Sequence, residues 1–255
     1  MGLWRSLTGP RNSLILLYDH LTEESAKEFE GQITEVSRYY RFVKLSNLID
    51  AARKGDTIGL ASVAFRHPRR SAWTRALPFL RAENIPATFF LSGDGVGMNR
   101  LPLEEELEWY AKTYPESFSA ERMVGLQEEV WENPQGLDAK LLTFRRETGP
   151  LPLEKLDPAL FFMTWGKLLE IPPELREFGF HLSYNPRHEE SLREALKFLS
   201  IQTGNPPRVA LSARSFPEYE AWGFCGVTGS RIGAVTPGVS LGDLPVWSFP
   251  STIKE

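Results

Sequence analysis

A single cysteine, Cys225, stands among 255 residues, so no internal disulfide can form and nothing in the chain calls for an oxidising compartment. Long hydrophobic runs are also missing. The apolar run at residues 14–17 is too short for a secretory leader or a membrane span and suits a buried strand. Nor is there an excess of positive charge. With 29 basic against 33 acidic residues and a net charge of -4, the chain is not a general nucleic-acid binder, which needs clustered Lys and Arg to neutralise phosphates. These absences lead to the expectation of a cytoplasmic globular protein. A hydrophobic content of 42% and a charged content of 24% are ordinary for that class, and the length suits one α/β barrel-sized domain.

Apolar periodicity gives the order of elements. A strand at 14–18 precedes an amphipathic helix at 25–39, where Phe29, Ile33, Val36 and Tyr40 recur at helical spacing. A short strand at 42–45, a helix capped by Ser46 and running to Lys54, and a strand at 58–65 follow. A helix at 70–83 places Trp73, Leu77 and Leu80 on one face. Helices near 103–112, 119–131 and 137–145 then break the alternation, and read as a helical insertion at about 100–165 within a single domain, 1–255. A short helix from Pro172-Pro173, a strand at 178–182, a helix at 189–202, and strands at 209–212, 226–228 and 246–248 complete the chain. Repeated β-then-α order with continuous apolar strands implies a parallel sheet covered by helices.

The most informative stretch is VAFRHPRRSAWTRALPFLRAENIPATFF at 63–90. A strand ends in a turn that gathers Arg66, His67, Arg69 and Arg70, where an α/β fold places its chemistry. Its Ala76-Leu77-Pro78 and Ile85-Pro86-Ala87-Thr88-Phe89-Phe90 resemble the signature of the polysaccharide deacetylases, the NodB-homology or carbohydrate esterase family 4 group. In that group a T-F-D-D-G turn leads to A-L-P-x-L and then I-P-A-T-F-F. Other pieces occur in the same order: Leu16-Leu17-Tyr18 with Asp19 for a histidine, Met163-Thr164-Trp165, Thr203-Gly204-Asn205-Pro206-Pro207, Gly223-Phe224, Pro237-Gly238 and Leu244-Pro245. The resemblance implies a distorted (β/α) barrel of the NodB type, with its site at the strand C-termini.

The same resemblance implies a base and a divalent metal, and the chain departs from both. The two aspartates of T-F-D-D-G align with Arg66 and His67. Arginine stays protonated and cannot serve as a base. Phe180-His181-Leu182-Ser183-Tyr184-Asn185-Pro186 resembles H-T-x-S-H-P, with Asn185 for the second histidine. His67 and His181 remain as candidate ligands for Zn or another divalent metal, and His188 lies nearby in sequence. The R-x-P-Y loop falls near Leu211-Ser212-Ala213-Arg214 without its arginine or tyrosine, and Val246 follows Leu-Pro where an arginine is common. A catalytically degenerate deacetylase-like protein, a pseudoenzyme without a required cofactor, is the expectation. Its ligand-binding residues would be Arg66, His67, Arg69, Arg70, Asp19, His181 and Asn185.

Guanidinium groups pair with carboxylates and phosphates, so an anionic carbohydrate is the expected ligand. The bland alternative is that the arginines pair with acids of the chain, Asp19 or Asp94. Two further readings stay open: an active metal-dependent deacetylase with a rebuilt site, and a non-catalytic protein partner in glycan synthesis. The remaining features are weaker. Glu104-Glu105-Glu106 reads as the exposed first turn of a helix, and Cys225 as a small buried residue. Ser92-Gly93-Asp94-Gly95-Val96-Gly97 reads as a loop. Trp109, Trp131, Trp165 and Trp222 are either a sugar platform or core.

Overall fold

The computed structural model describes residues 13–56, 58–92, 95–97, 100–116, 118–132, 137–182, 189–212, 225–228, 244–245 and 247–249. Its strands are β1 (Leu14–Tyr18), β2 (Arg41–Phe42), β3 (Leu60–Phe65), β4 (Ala87–Leu91), β5 (Arg176–Leu182), β6 (Val209–Ser212), β7 (Cys225–Thr228), β8 (Leu244–Pro245) and β9 (Trp247–Phe249). They form one sheet in the order β8-β7-β6-β5-β4-β3-β1-β9, with β2 also on β3, and every pairing is parallel. Parallel neighbours need crossovers, and helices supply most of them: α1 (Glu23–Ser37), α2 (Leu45–Arg53), α3 (Leu77–Ala82) and α8 (Glu189–Thr203). The result is a parallel half-barrel of the expected (β/α) type, with β8 and β9 as its two edges among the described residues.

Two faces of the sheet bury different sets. Leu16, Tyr18, Val63, Phe65, Phe89 and Leu91 pack under Phe29, Ile33 and Val36 of α1 and Leu77 and Leu80 of α3. The alternate residues Ile15, Leu17, Ala64, Phe90, Val209 and Leu211 form the other cluster, against Leu45, Leu48 and Ile49 of α2. The period of two continues past the strand ends, which puts Asp19, Arg66 and His181 on this second face at the C-terminal mouth.

Local chemistry moves several boundaries. Helix α1 begins at Glu23 because Thr22 and Ser25 form a reciprocal capping box. Ser46 is not the cap of α2; Lys44 is, and the Ser46 N–H donates instead to the Glu177 carboxylate of β5. The helix expected at 70–83 is split into a π-helical turn, Ala72–Ala76, and α3. Pro78 has no N–H for the Thr74 carbonyl, and the turn before it widens. The helix expected at Pro172-Pro173 is a turn, and the short helix lies earlier, as α7 (Trp165–Leu169). Arg176 takes the place of that missing helix: its Nη1 donates to the carbonyls of Leu168, Leu169 and Ile171 and closes the end of α7. Strand β2 stops at Phe42, and β8 was not anticipated.

Between β4 and β5 stand α4 (Leu103–Thr113), α5 (Ala120–Glu132) and α6 (Leu137–Thr148). They bury their own cluster, Leu107, Tyr110, Phe118 and Phe144, with the Tyr110 and Phe144 rings edge to face at 4.6 Å.

Candidate functional site at the barrel mouth

The turn after β3 is held from two sides. The Arg66 N–H donates to the Tyr18 carbonyl and extends the β1–β3 ladder by one step. On the other side, residues 161–163 run against 68–70: Arg70 N–H donates to the Phe161 carbonyl, and Met163 N–H to the Pro68 carbonyl. Phe162 lies against Gly95, where an added Cβ would run into the ring and displace it. The same ring stands edge-on to His67 at 5.7 Å.

Within this frame the arginines have different surroundings. Arg69 is 1% exposed and points inward, donating from Nη2 to Asp19 Oδ1 at 2.8 Å and from Nη1 to Glu105 Oε1 of α4. Arg66 is 36% exposed and lies 3.9 Å from Asp19 Oδ2, which makes a loose ion pair. Arg70 lies with its guanidinium 5.6 Å from the centre of the Phe161 ring. The reading of the arginines as partners of the chain's own acids therefore describes Arg69, through Asp19 and Glu105. Asp94, the other acid named from the sequence, lies outside the described residues, as do Asn185, His188, Arg214 and Trp222. The side chains of Cys225 and Trp131 also lie outside them.

His67 and His181 meet edge to face with ring centroids 4.7 Å apart, both buried. Burial, followed by the Arg66 charge, pulls the His181 pKa down to about 3. Burial, then His181, holds His67 well below its ordinary value. Both rings are neutral at physiological pH. The Asp19 carboxyl feels burial pushing it up, but the surrounding positive charge, led by Arg69, outweighs it and brings the pKa down to about 2. Glu105 goes the other way: burial lifts it to about 6 even against Arg69.

The resemblance implies a metal at this place, and the donors can be tested against it. His181 Nδ1 is buried without a partner among the described residues, as a ligand atom would be. The rest of the set does not fit. Among the described residues no three His, Cys, Asp or Glu side chains converge to hold a metal, and the mouth carboxylates Asp19 and Glu105 are committed to Arg69. A dication beside the imidazoles would face two fixed cations, Arg69 and Arg66, with no free carboxylate among these residues to compensate.

The acidic run at 104–106 is not a solvated helix turn. Glu106 is buried and accepts both Nε and Nη2 of Arg145, at 2.7 and 2.8 Å, while Glu105 faces the barrel and Arg69. Charged partners on both sides draw the two side chains inward; the Glu104 side chain lies outside the described residues. Glu105 is the site residue that sequence reading missed. Its partner lies 36 positions away and no local spacing signals it. Trp109 packs in the insertion's cluster and Trp165 against Phe198 and the main core.

The architecture matches that of solved deacetylases. IcaB from Ammonifex degensii superposes with a TM-score of 0.59 at 16% identity, covering 94% of this chain and 93% of that one. Streptococcus pyogenes deacetylase PplD in complex with acetate gives 0.59 at 14% identity, with the same coverage. The BpsB deacetylase domain from Bordetella bronchiseptica gives 0.55 at 13%, over 92% and 95% of the two chains. No protein-family model and no curated protein matches the sequence. At these identities the likeness establishes the fold: the chain has the NodB-type polysaccharide-deacetylase architecture. Among the described residues no helix is long and apolar enough to cross a membrane.

Proposed function

We propose that this chain is a deacetylase-fold protein that binds an anionic carbohydrate at the barrel mouth and no longer carries out the family's hydrolysis. The observation that carries the reading is Arg66. It stands at the end of β3, where the resembling family has its base, and its guanidinium is half-open, with a loose contact to Asp19 among the described residues. A group that cannot lose its proton is unfit to activate water, and well fitted to hold a carboxylate or phosphate. The cytoplasmic assignment and a role beside glycan-synthesis proteins belong to this same reading.

Calorimetric titration with oligouronates and with neutral N-acetylglucosamine oligomers tests it. Binding of the oligouronate should weaken as salt rises, and Arg66→Ala should cost about 1.5–3 kcal/mol of it. Equal binding of neutral and acidic oligomers, or no effect of Arg66→Ala, would rule the reading out.

A second reading, an active hydrolase with a rebuilt site, draws on the buried His67–His181 pair and the unpartnered His181 Nδ1 among the described residues. Acetate release from acetylated chitin oligomers, abolished by His181→Ala, would establish it in place of the first.

A further inference from the structure

We infer that Arg69 is a built-in cation of the barrel mouth, occupying the electrostatic role of a bound divalent metal and fastening helix α4 to the barrel. This goes beyond the glycan reading and does not depend on any ligand.

The argument starts from burial. A guanidinium 1% exposed is costly unless its charge is compensated, and Arg69 is bracketed by carboxylates from two separate elements, Asp19 after β1 and Glu105 on α4. One cation thus bridges two anions, as a metal ion does between ligands of distant segments. Arg69 Nε and Glu105 Oε2 are buried with no partner among the described residues. Each such vacancy is costly in a low-dielectric interior, so the two ion pairs carry the compensation of this charge.

The consequence is a mouth with its positive charge already supplied by the chain. The fold that the resemblance links to a metal would here be independent of one. Removing the guanidinium should leave Asp19 and Glu105 buried without compensation, and since no three ligand side chains converge there among the described residues, a metal ion should not replace it.

Thermal denaturation and elemental analysis test this on the full chain, with Zn²⁺ and Mn²⁺ as the probes after treatment with EDTA. The parent should carry no stoichiometric metal and show the same Tm with or without either ion. Arg69→Ala should melt about 6–20 °C lower, the shift expected for a broken buried pair, with neither ion restoring the loss. If Arg69→Ala does not fold, the triple exchange Arg69→Met, Asp19→Asn, Glu105→Gln should fold, since all three charges are then gone together. Stoichiometric metal in the parent with a Tm that falls on chelation would overturn the inference. So would a folded Arg69→Ala that melts like the parent, or a triple variant that fails along with the single one.

Discussion

The two ends of the same strands handle charge differently. At the foot, around a cavity of about 350 Å³, each charged side chain is spent on the frame. Lys44 donates to the Pro173 carbonyl, Arg176 closes α7, Arg208 pairs with Asp50, and Glu177 accepts from Ser46 N–H and Thr88 Oγ1. At the mouth, the polar groups are more deeply buried and less completely matched: His181 Nδ1, Arg69 Nε and Glu105 Oε2 have no partner among the described residues. The contrast appears within one strand, since β5 carries Glu177 at its start and His181 near its end.

Acid should separate the two ends most strongly. His67 and His181 are held neutral, so the fold binds fewer protons than the unfolded chain below about pH 6.5, and stability falls as pH falls. His181, brought down to about 3, costs about 2 kcal/mol between pH 6.5 and 5, and His67 acts in the same direction. Glu105, raised to about 6, favours the protonated fold and returns about 1 kcal/mol over the same interval. The net loss is on the order of 2 kcal/mol, measurable by urea denaturation in EDTA, and His181→Phe should make the slope shallower. A stability curve flat from pH 7 to 5 would contradict the neutral histidine pair.

The foot should answer differently. Glu177→Ala removes an acceptor of charge-assisted bonds from Thr88 and the start of α2, and should cost about 2–3 kcal/mol at pH 7. The acid slope of the mouth should survive it unchanged; a slope that disappears would mean that the two ends are coupled.

Between them lies Gly179, where an added Cβ would come within 2.5 Å of the Phe90 ring and 3.2 Å of the Val209 carbonyl. Gly179→Ala should cost about 1–3 kcal/mol by overpacking, and Phe90→Leu in the same chain should recover part of it. Strict additivity in that double-mutant cycle would show that the ring is not the obstacle.

The smallest effect is expected from Glu105→Gln at pH 5. There the folded carboxyl is mostly protonated while the unfolded one is mostly ionised, so an amide of the same shape should raise stability by about 1 kcal/mol or less. Glu106→Gln, which breaks a matched pair with Arg145, should cost about 1.5–3 kcal/mol under the same conditions.

The parallel sheet was legible because its strands are short apolar runs at β/α spacing, and β6 at 209–212 falls where the sequence places it. The helix boundaries were less so. Thr22 caps α1 through a serine three residues on, a local pattern open to reading, whereas Ser46 lost its cap role to Glu177, 131 positions away. The site followed the same rule. Strand-end positions identify Asp19, Arg66, His67 and His181, but nothing local distinguishes inward Arg69 from Arg66 three residues before it. That distinction depends on Glu105, and only the folded insertion supplies it.

The parallel pairing of β1 with β9 also bears on how the chain acquires its shape. Leu16 finds one neighbour, Ser62-Val63, early in synthesis, but its other partner, Trp247, emerges about 230 residues later. At 5–20 residues per second that edge of a fully apolar strand stays bare for roughly 10–45 s on the ribosome. Nascent chains are therefore most prone to misassociate along β1, and pairing so distant in sequence makes the last step of folding slow.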